Sequence, residues 1–418
     1  MGQGISELCY VGIEVRDLPA WAAYGREVLG LRPVDDGPPG GLQLRMDGQA
    51  ARIVLVEGPA DDLAFIGWRV ADTAALDAFC AHLDAQGCSW QWGSDDEERL
   101  RGVERLIHFR DPSGNRHEAC CGPQPAASRG DGSDGDMGFV TGDLGLGHLV
   151  LTTGDYSRML DFVQRVLGLG LRDRIALDLG VGMHFELTYF HANARHHSIG
   201  IAPPPPGDEA PKRLHHLMLE VSSLDRVGQA RDRSLERGHA VVMDIGRHPN
   251  DDLVSYYGDS PAHVLVQVGW GGTRVDPVGW EARTHDRLSV WGHRPLGPAV
   301  PPDAPVRTEP LPATRQPSAI AGRWQVKITT PLATDDVDFD LEAAGDQVRG
   351  WVRGPRGDNP VIEGHFDGTT LRFRSEVHAP LPMVVSIEGR IDGERIAGHV
   401  VSPFGRFPFS GERTLPWF

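Results

Sequence analysis

The chain repeats itself, and that repetition constrains its fold more than any other feature. Residues 9–15 (CYVGIEV) alternate like a strand, and a helical stretch from Pro19 ends at residues 28–31 (VLGL). In a second block residues 148–152 (HLVLT) read as the strand, and the helix from Tyr156 ends at residues 166–169 (VLGL). Near the block ends, residues 109–114 (FRDPSG) parallel residues 257–262 (YGDSPA). Such self-similarity means that one supersecondary unit is used more than once. Each block splits again. A second strand starts near residues 65–70 (FIGWRV), with a helix over about 73–86. Its counterpart is residues 215–221 (HHLMLEV), with a helix over about 224–237 that stops at Gly238, a common helix terminator. Four βαβββ units follow. The expected fold class is α+β: tandem βαβββ modules that curl their sheets into two half-open barrels, each with a pocket.

Two stretches interrupt this pattern. Residues 123–138 are rich in Gly, Asp, Ser and Pro, and residues 293–318 are rich in Pro with no hydrophobic period. Neither can bury enough apolar surface to offset its ordering entropy, so both read as linkers. They divide the chain into 1–122, 139–292 and 319–418. The last block alternates strongly at residues 324–328, 337–341, 348–352, 371–374, 384–387 and 395–400, with Asp-Gly turns at Asp367 and Asp392. That pattern predicts a small antiparallel β-barrel or sandwich, similar to small lipocalin-like accessory domains. His365, His378 and His399 are scattered over it and read as surface residues.

Composition narrows the partners. A formal charge of −17 argues against nucleic acid and against an anionic membrane surface. No apolar run reaches the roughly 18–20 residues needed to span a bilayer, and no secretory leader is recognisable. The five cysteines (Cys9, Cys80, Cys88, Cys120 and Cys121) lack framework spacing, which suggests free thiols in the cytoplasm.

A divalent metal site needs two or three donors converging on one point. His148 opens one strand of the second block, and His216 opens the matching strand of the next unit. Gln267 lies in a final strand, residues 264–268. Equivalent placement in paired units points these three at one pocket. The first block has Tyr10 and Glu118 at the corresponding places, which makes no metal site.

Residues 246–261 (GRHPNDDLVSYYGDSP), followed by 265–270 (LVQVGW), resemble the active-site segment of the type I extradiol catechol dioxygenases. These form the biphenyl-diol cleaving branch of the vicinal oxygen chelate superfamily, and the resemblance covers about 5–292. It implies a ring-cleaving dioxygenase acting on a substituted or polycyclic catechol with Fe(II) and O2. It makes His148, His216 and Gln267 the metal ligands, with Gln267 where the family places Glu. Residues 190–198 (FHANARHHS) resemble the segment with the family's acid–base His, matched best by His197 and next by His196. His248 and Tyr257 match residues that hydrogen-bond substrate and oxygen, and Asn250 and Asp251 the loop that supports them. Met183, Phe185 and Phe190 are expected to line the aromatic pocket. His263 replaces a usual Gly in the turn after Pro261. A neutral Gln ligand opens alternatives: Mn(II), Zn(II), Ni(II) or no metal in place of iron, and isomerase, lyase or hydrolase chemistry or plain aromatic binding in place of oxygenation. Family members often form homo-oligomers.

Overall fold

A computed structural model describes residues 4–34, 37–126, 138–178, 184–204, 212–276, 280–294, 320–329, 334–354, 357–377, 383–402 and 405–415. Met183, His378 and most of both linkers lie outside these residues. Two compact units emerge. One comprises Met1–Leu177, Glu186–Pro203 and Lys212–His293; the other comprises Asp178–Phe185, Pro204–Pro211 and Arg294–Phe418.

The first unit contains two sheets, one per repeat. The first has eight strands in the order Arg32–Pro33, Leu42–Arg45, Ile53–Glu57, Glu7–Val15, Asp62–Arg69, Arg116–Cys121, Arg105–Arg110, Trp90–Trp92. The second has nine: Val241–Arg247, Val254–Asp259, Leu265–Trp270, Leu214–Glu220, His148–Thr152, Ile199–Ala202, His184–His191, Gly170–Asp178, Arg283–His285. At the centre of each, the opening strands of the two βαβββ modules pair antiparallel, and each is flanked by the parallel last strand of its own module. The duplication extends to the helices. Leu18–Tyr24 runs into a π turn at Gly25–Leu29, and Tyr156–Asp161 into a π turn at Phe162–Val166. The helices Thr73–Ala85 and Leu224–Glu236 fall where their patterns place them, and each starts on a side-chain cap, Asp72 or Ser223. One helix, Asp95–Arg101, was not anticipated, although Ser94 and Glu97 form a capping box at its start. None of the described helices is long and apolar enough to cross a membrane.

The second unit carries a closed barrel of eight antiparallel strands. All six expected strands are present. The two additional ones are Gly357–Phe366 and Gly405–Leu415. They contain Pro360 and Pro408, residues that normally disqualify a segment as a strand. Trp324, Phe339, Leu371, Phe373, Ile387 and Phe409 pack into its core. Each buried phenylalanine there contributes roughly 1.5–3 kcal/mol. His365 is half exposed and reaches Asp346, which fits its reading as a surface residue.

Candidate metal centre

Strand register brings the candidate ligands into one row. Tyr257 faces Gln267 across an antiparallel pair, Gln267 faces Met218 across a parallel pair, and Met218 faces His148. Paired residues project from the same face of a sheet, and alternate residues of a strand share a face. His216, two residues before Met218, therefore points the same way.

The Nε2 atoms of His148 and His216 lie 3.4 Å apart. Burial holds both rings well below the usual histidine range; Arg195 and His248 push His148 the same way, while the nearby Gln267 side chain opposes them. Both rings are thus in the neutral form that binds metal. The Nδ1 atom of His216 is engaged by Nδ1 of His215 at 2.8 Å, which leaves Nε2 free for the pocket. Gln267 is 1 % exposed. Its Nε2 donates to Ser255 Oγ at 2.8 Å and lies 3.0 Å from Nε2 of His248. Its Oε1 is buried without a partner. A buried amide oxygen left unpaired costs about 1–3 kcal/mol. Two neutral imidazoles and an unsatisfied oxygen make a donor set that fits a divalent cation.

His197 stands beside this group, its ring centroid 3.8 Å from that of His148 and 4.6 Å from that of Tyr189. Burial lowers its pKa well below normal, and the surrounding histidines act the same way. Its Nδ1 lies 3.1 Å from Nδ1 of His196, whose Nε2 lies 3.0 Å from Asp173 Oδ2. A carboxylate only accepts, so His196 donates to Asp173. In its neutral form His196 then accepts from Nδ1–H of His197, which leaves Nε2 of His197 as the free base. Burial raises the Asp173 carboxyl, but hydrogen bonds from His196, the Arg283 backbone and His285 outweigh it and hold the pKa below normal. His196 is therefore a support behind His197 and not a group lining the pocket.

A carboxylate is also at hand. Donor atoms of His148, His197 and Asp251, all buried, lie within 4.8 Å of one another and could hold a metal ion. Asp251 belongs to a turn held by the Leu253 amide on Oδ1 and by Asp252 in the left-handed region at φ 59°. Neighbouring Asn250 is buried, with its Oδ1 unpaired. On the other side of Gln267, Nε2 of His248 lies 2.9 Å from the Tyr257 hydroxyl, and its Nδ1 donates to Leu288 O at 2.8 Å.

Phe190 is not where the sequence reading placed it. It pairs with Ile199, and Ile199 with Leu149, a row on the face opposite His148. Tyr189 pairs with Gly200, and Gly200 with Val150, the partner of His216, so Tyr189 is the aromatic side chain on the pocket face. Phe185 alternates onto the same face of its strand as Tyr189 and is half-buried. His263 takes up φ 54° and turns outward to Asp259, at 2.9 Å. Ser255, His215, Asp173 and His293 were also missed. His293, read as the first residue of a linker, is 4 % exposed and contacts Ser255.

In the first repeat the same row reads Tyr10, Gly67, Glu118. Arg101 binds Glu118 through Nε and Nη2 at 3.1 and 2.9 Å, and the Tyr10 hydroxyl donates to it at 2.8 Å. The guanidinium also stacks on Phe65, 3.8 Å from the ring centroid. A side-chain cation thus neutralises this buried carboxylate.

Residues 145–268 match the Glyoxalase/Bleomycin resistance protein/Dioxygenase superfamily, and residues 8–58 match the first domain of dihydroxybiphenyl dioxygenase. The chain is 37 % identical over 296 residues to 3-methylcatechol 2,3-dioxygenase of Pseudomonas putida F1, covering 71 % of this chain and 99 % of the relative. It is 38 % identical over 291 residues to biphenyl-2,3-diol 1,2-dioxygenase of Paraburkholderia xenovorans LB400, covering 69 % and 95 %. Among solved structures, a halotolerant catechol dioxygenase superposes with a TM-score of 0.64 at 33 % identity, covering 72 % of this chain and 98 % of that one. With identity at this level across nearly the whole length of its relatives, the chain belongs to the extradiol dioxygenase family.

Proposed function

We propose that the protein is a ring-cleaving dioxygenase that opens a substituted or polycyclic catechol beside its diol with O2, using Fe(II). The observation that carries this reading is the unpartnered Oε1 of Gln267 beside two neutral imidazoles. His148, His216 and Gln267 would hold the iron, with Asp251 placing a negative charge nearby. When bound, such a metal gathers both catechol oxygens and O2 at one centre.

The remaining roles belong to the protein. Nε2 of His197 takes a proton from the catechol, because its Nδ1–H is committed to His196. Asp173 anchors His196 and so fixes that tautomer. The Tyr257 hydroxyl donates to Nε2 of His248, which leaves its oxygen to accept from a substrate hydroxyl. Tyr189 walls the pocket beside His197. Named substrates of the relatives, 3-methylcatechol, biphenyl-2,3-diol and 1,2-dihydroxynaphthalene, define the class to test. Five free cysteines suit a reducing compartment, which makes the cytoplasm the proposed location.

The test is aerobic turnover of 2,3-dihydroxybiphenyl by the Fe(II)-loaded protein, followed as yellow ring-fission product. Accumulation of product is expected, and His197→Phe is expected to slow it by about 10²–10⁴-fold at unchanged iron content. A native protein that binds iron yet yields no product from any of the three catechols would contradict the proposal.

A further inference from the structure

We infer that Gln267 is held in one amide orientation, oxygen toward the His148–His216 pocket, with His248 selecting the orientation and Ser255, itself held by His293, as the positioning residue that anchors the amide nitrogen. The inference rests on the reading of Gln267 as a metal ligand. A glutamine can present either end of its amide, and only the oxygen binds a cation. A free glutamine would therefore be a poor ligand, and this one is not free.

Leu288 O can only accept, so Nδ1 of His248, 2.8 Å away, carries the proton. With the proton on Nδ1, Nε2 is the accepting nitrogen of the ring, and it faces the amide NH2 of Gln267 at 3.0 Å and the Tyr257 hydroxyl at 2.9 Å. A flipped amide would set two acceptors against each other. Ser255 anchors the same nitrogen from a second direction; a hydroxyl can meet either end of an amide, so it fixes the position of the group while His248 selects its orientation. Its carbonyl oxygen, again acceptor only, lies 3.1 Å from Nε2 of His293, which therefore carries that ring's proton. The same nitrogen lies 3.2 Å from Ser255 Oγ, and Nδ1 of His293 receives the Ser289 hydroxyl at 2.7 Å. Ser255 Oγ accepts from His293 on one side and from Gln267 Nε2, at 2.8 Å, on the other. Both amide protons of Gln267 are thus taken, one by His248 and one by Ser255. The oxygen is the end that remains, and it is the buried atom without a partner. Ser255, Gln267 and His293 are 0 %, 1 % and 4 % exposed, so water does not compete for these bonds. The segment from Leu288 to His293 supplies every outer member of the chain: a carbonyl, a hydroxyl and an imidazole.

The test is Mn(II) binding to the full-length chain by isothermal titration, in a double-mutant cycle of Ser255→Ala and Gln267→Ala, with thermal melting of each metal-free variant. Ser255→Ala is expected to weaken binding about 10-fold or more, the usual effect of removing a group that orients a ligand. Ser255→Thr, which keeps the hydroxyl, is expected to restore it. In the Gln267→Ala background the serine change is expected to make less than about a 2-fold difference, because its effect passes through Gln267. If Ser255→Ala does not fold, Ser289→Ala takes its place in the cycle with the same pattern expected. Native-like binding by the serine variant, or an equal loss in both backgrounds, overturns the inference alone. Failure of the native chain to bind Mn(II) and Fe(II) overturns the metal reading and the inference with it.

Discussion

Gln267, proposed as a metal ligand, is a neutral donor, so its value in that role depends on where its oxygen points. A carboxylate presents oxygen at either end and tolerates loose surroundings. An amide needs His248 at 3.0 Å to select its orientation and Ser255 at 2.8 Å to anchor its nitrogen. His263 is a second substitution, with a smaller consequence. It holds φ 54°, a conformation that suits glycine, and its ring is spent on Asp259 at the surface. His263→Gly is expected to stabilise the fold by about 0.5–1 kcal/mol without changing turnover, checked by urea unfolding. A loss of stability would mean that the Asp259 contact outweighs the backbone strain. The histidines proposed as ligands were legible in the sequence because they fall near the start of matching strands in equivalent units. Tyr189 was not, because choosing it over Phe190 requires the strand register, and a shift of one residue reverses the face. His293 was hidden for a different reason. The prolines that follow it read as linker, and nothing local shows that Ser255 and Ser289 hold it.

At the scale of elements, the two sheets share one plan and fill it differently. The row that carries His148, Met218 and Gln267 in the second repeat carries Tyr10, Gly67 and Glu118 in the first. Gly67 is required there because a Cβ would lie 2.2 Å from the Tyr10 ring. Gly67→Ala is expected to destabilise the protein by about 1–3 kcal/mol, read as a lower unfolding midpoint, while leaving metal affinity within 2-fold of native. An equal loss of metal affinity would mean that the first sheet supports the centre in the second. The helices and opening strands were legible because hydrophobic period and caps act locally. The barrel's two proline-containing strands were not, since only their pairing partners make those segments strands.

For the molecule as a whole, the buried histidines set a pH dependence. Burial holds His148, His197 and His216 well below the ordinary range, and His293 at about 3. Above about pH 6.5 these groups are neutral folded or unfolded and contribute nothing to the slope. Below it the unfolded chain takes up protons that the folded chain refuses, so stability falls as pH falls toward the folded values. Metal-free protein is expected to lose up to about 1.4 kcal/mol per buried histidine for each pH unit below that point, seen as a falling urea midpoint between about pH 7 and 5.5. A flat profile would mean that the pocket opens and lets its histidines titrate normally. The histidines that set this slope include the proposed metal ligands, which makes occupancy of the site the central issue. The most direct measurement is elemental analysis of protein purified without oxygen and incubated with Fe(II). About one iron per chain is expected, falling to none in His148→Ala. No iron in the native chain would contradict a centre built on His148, His216 and Gln267.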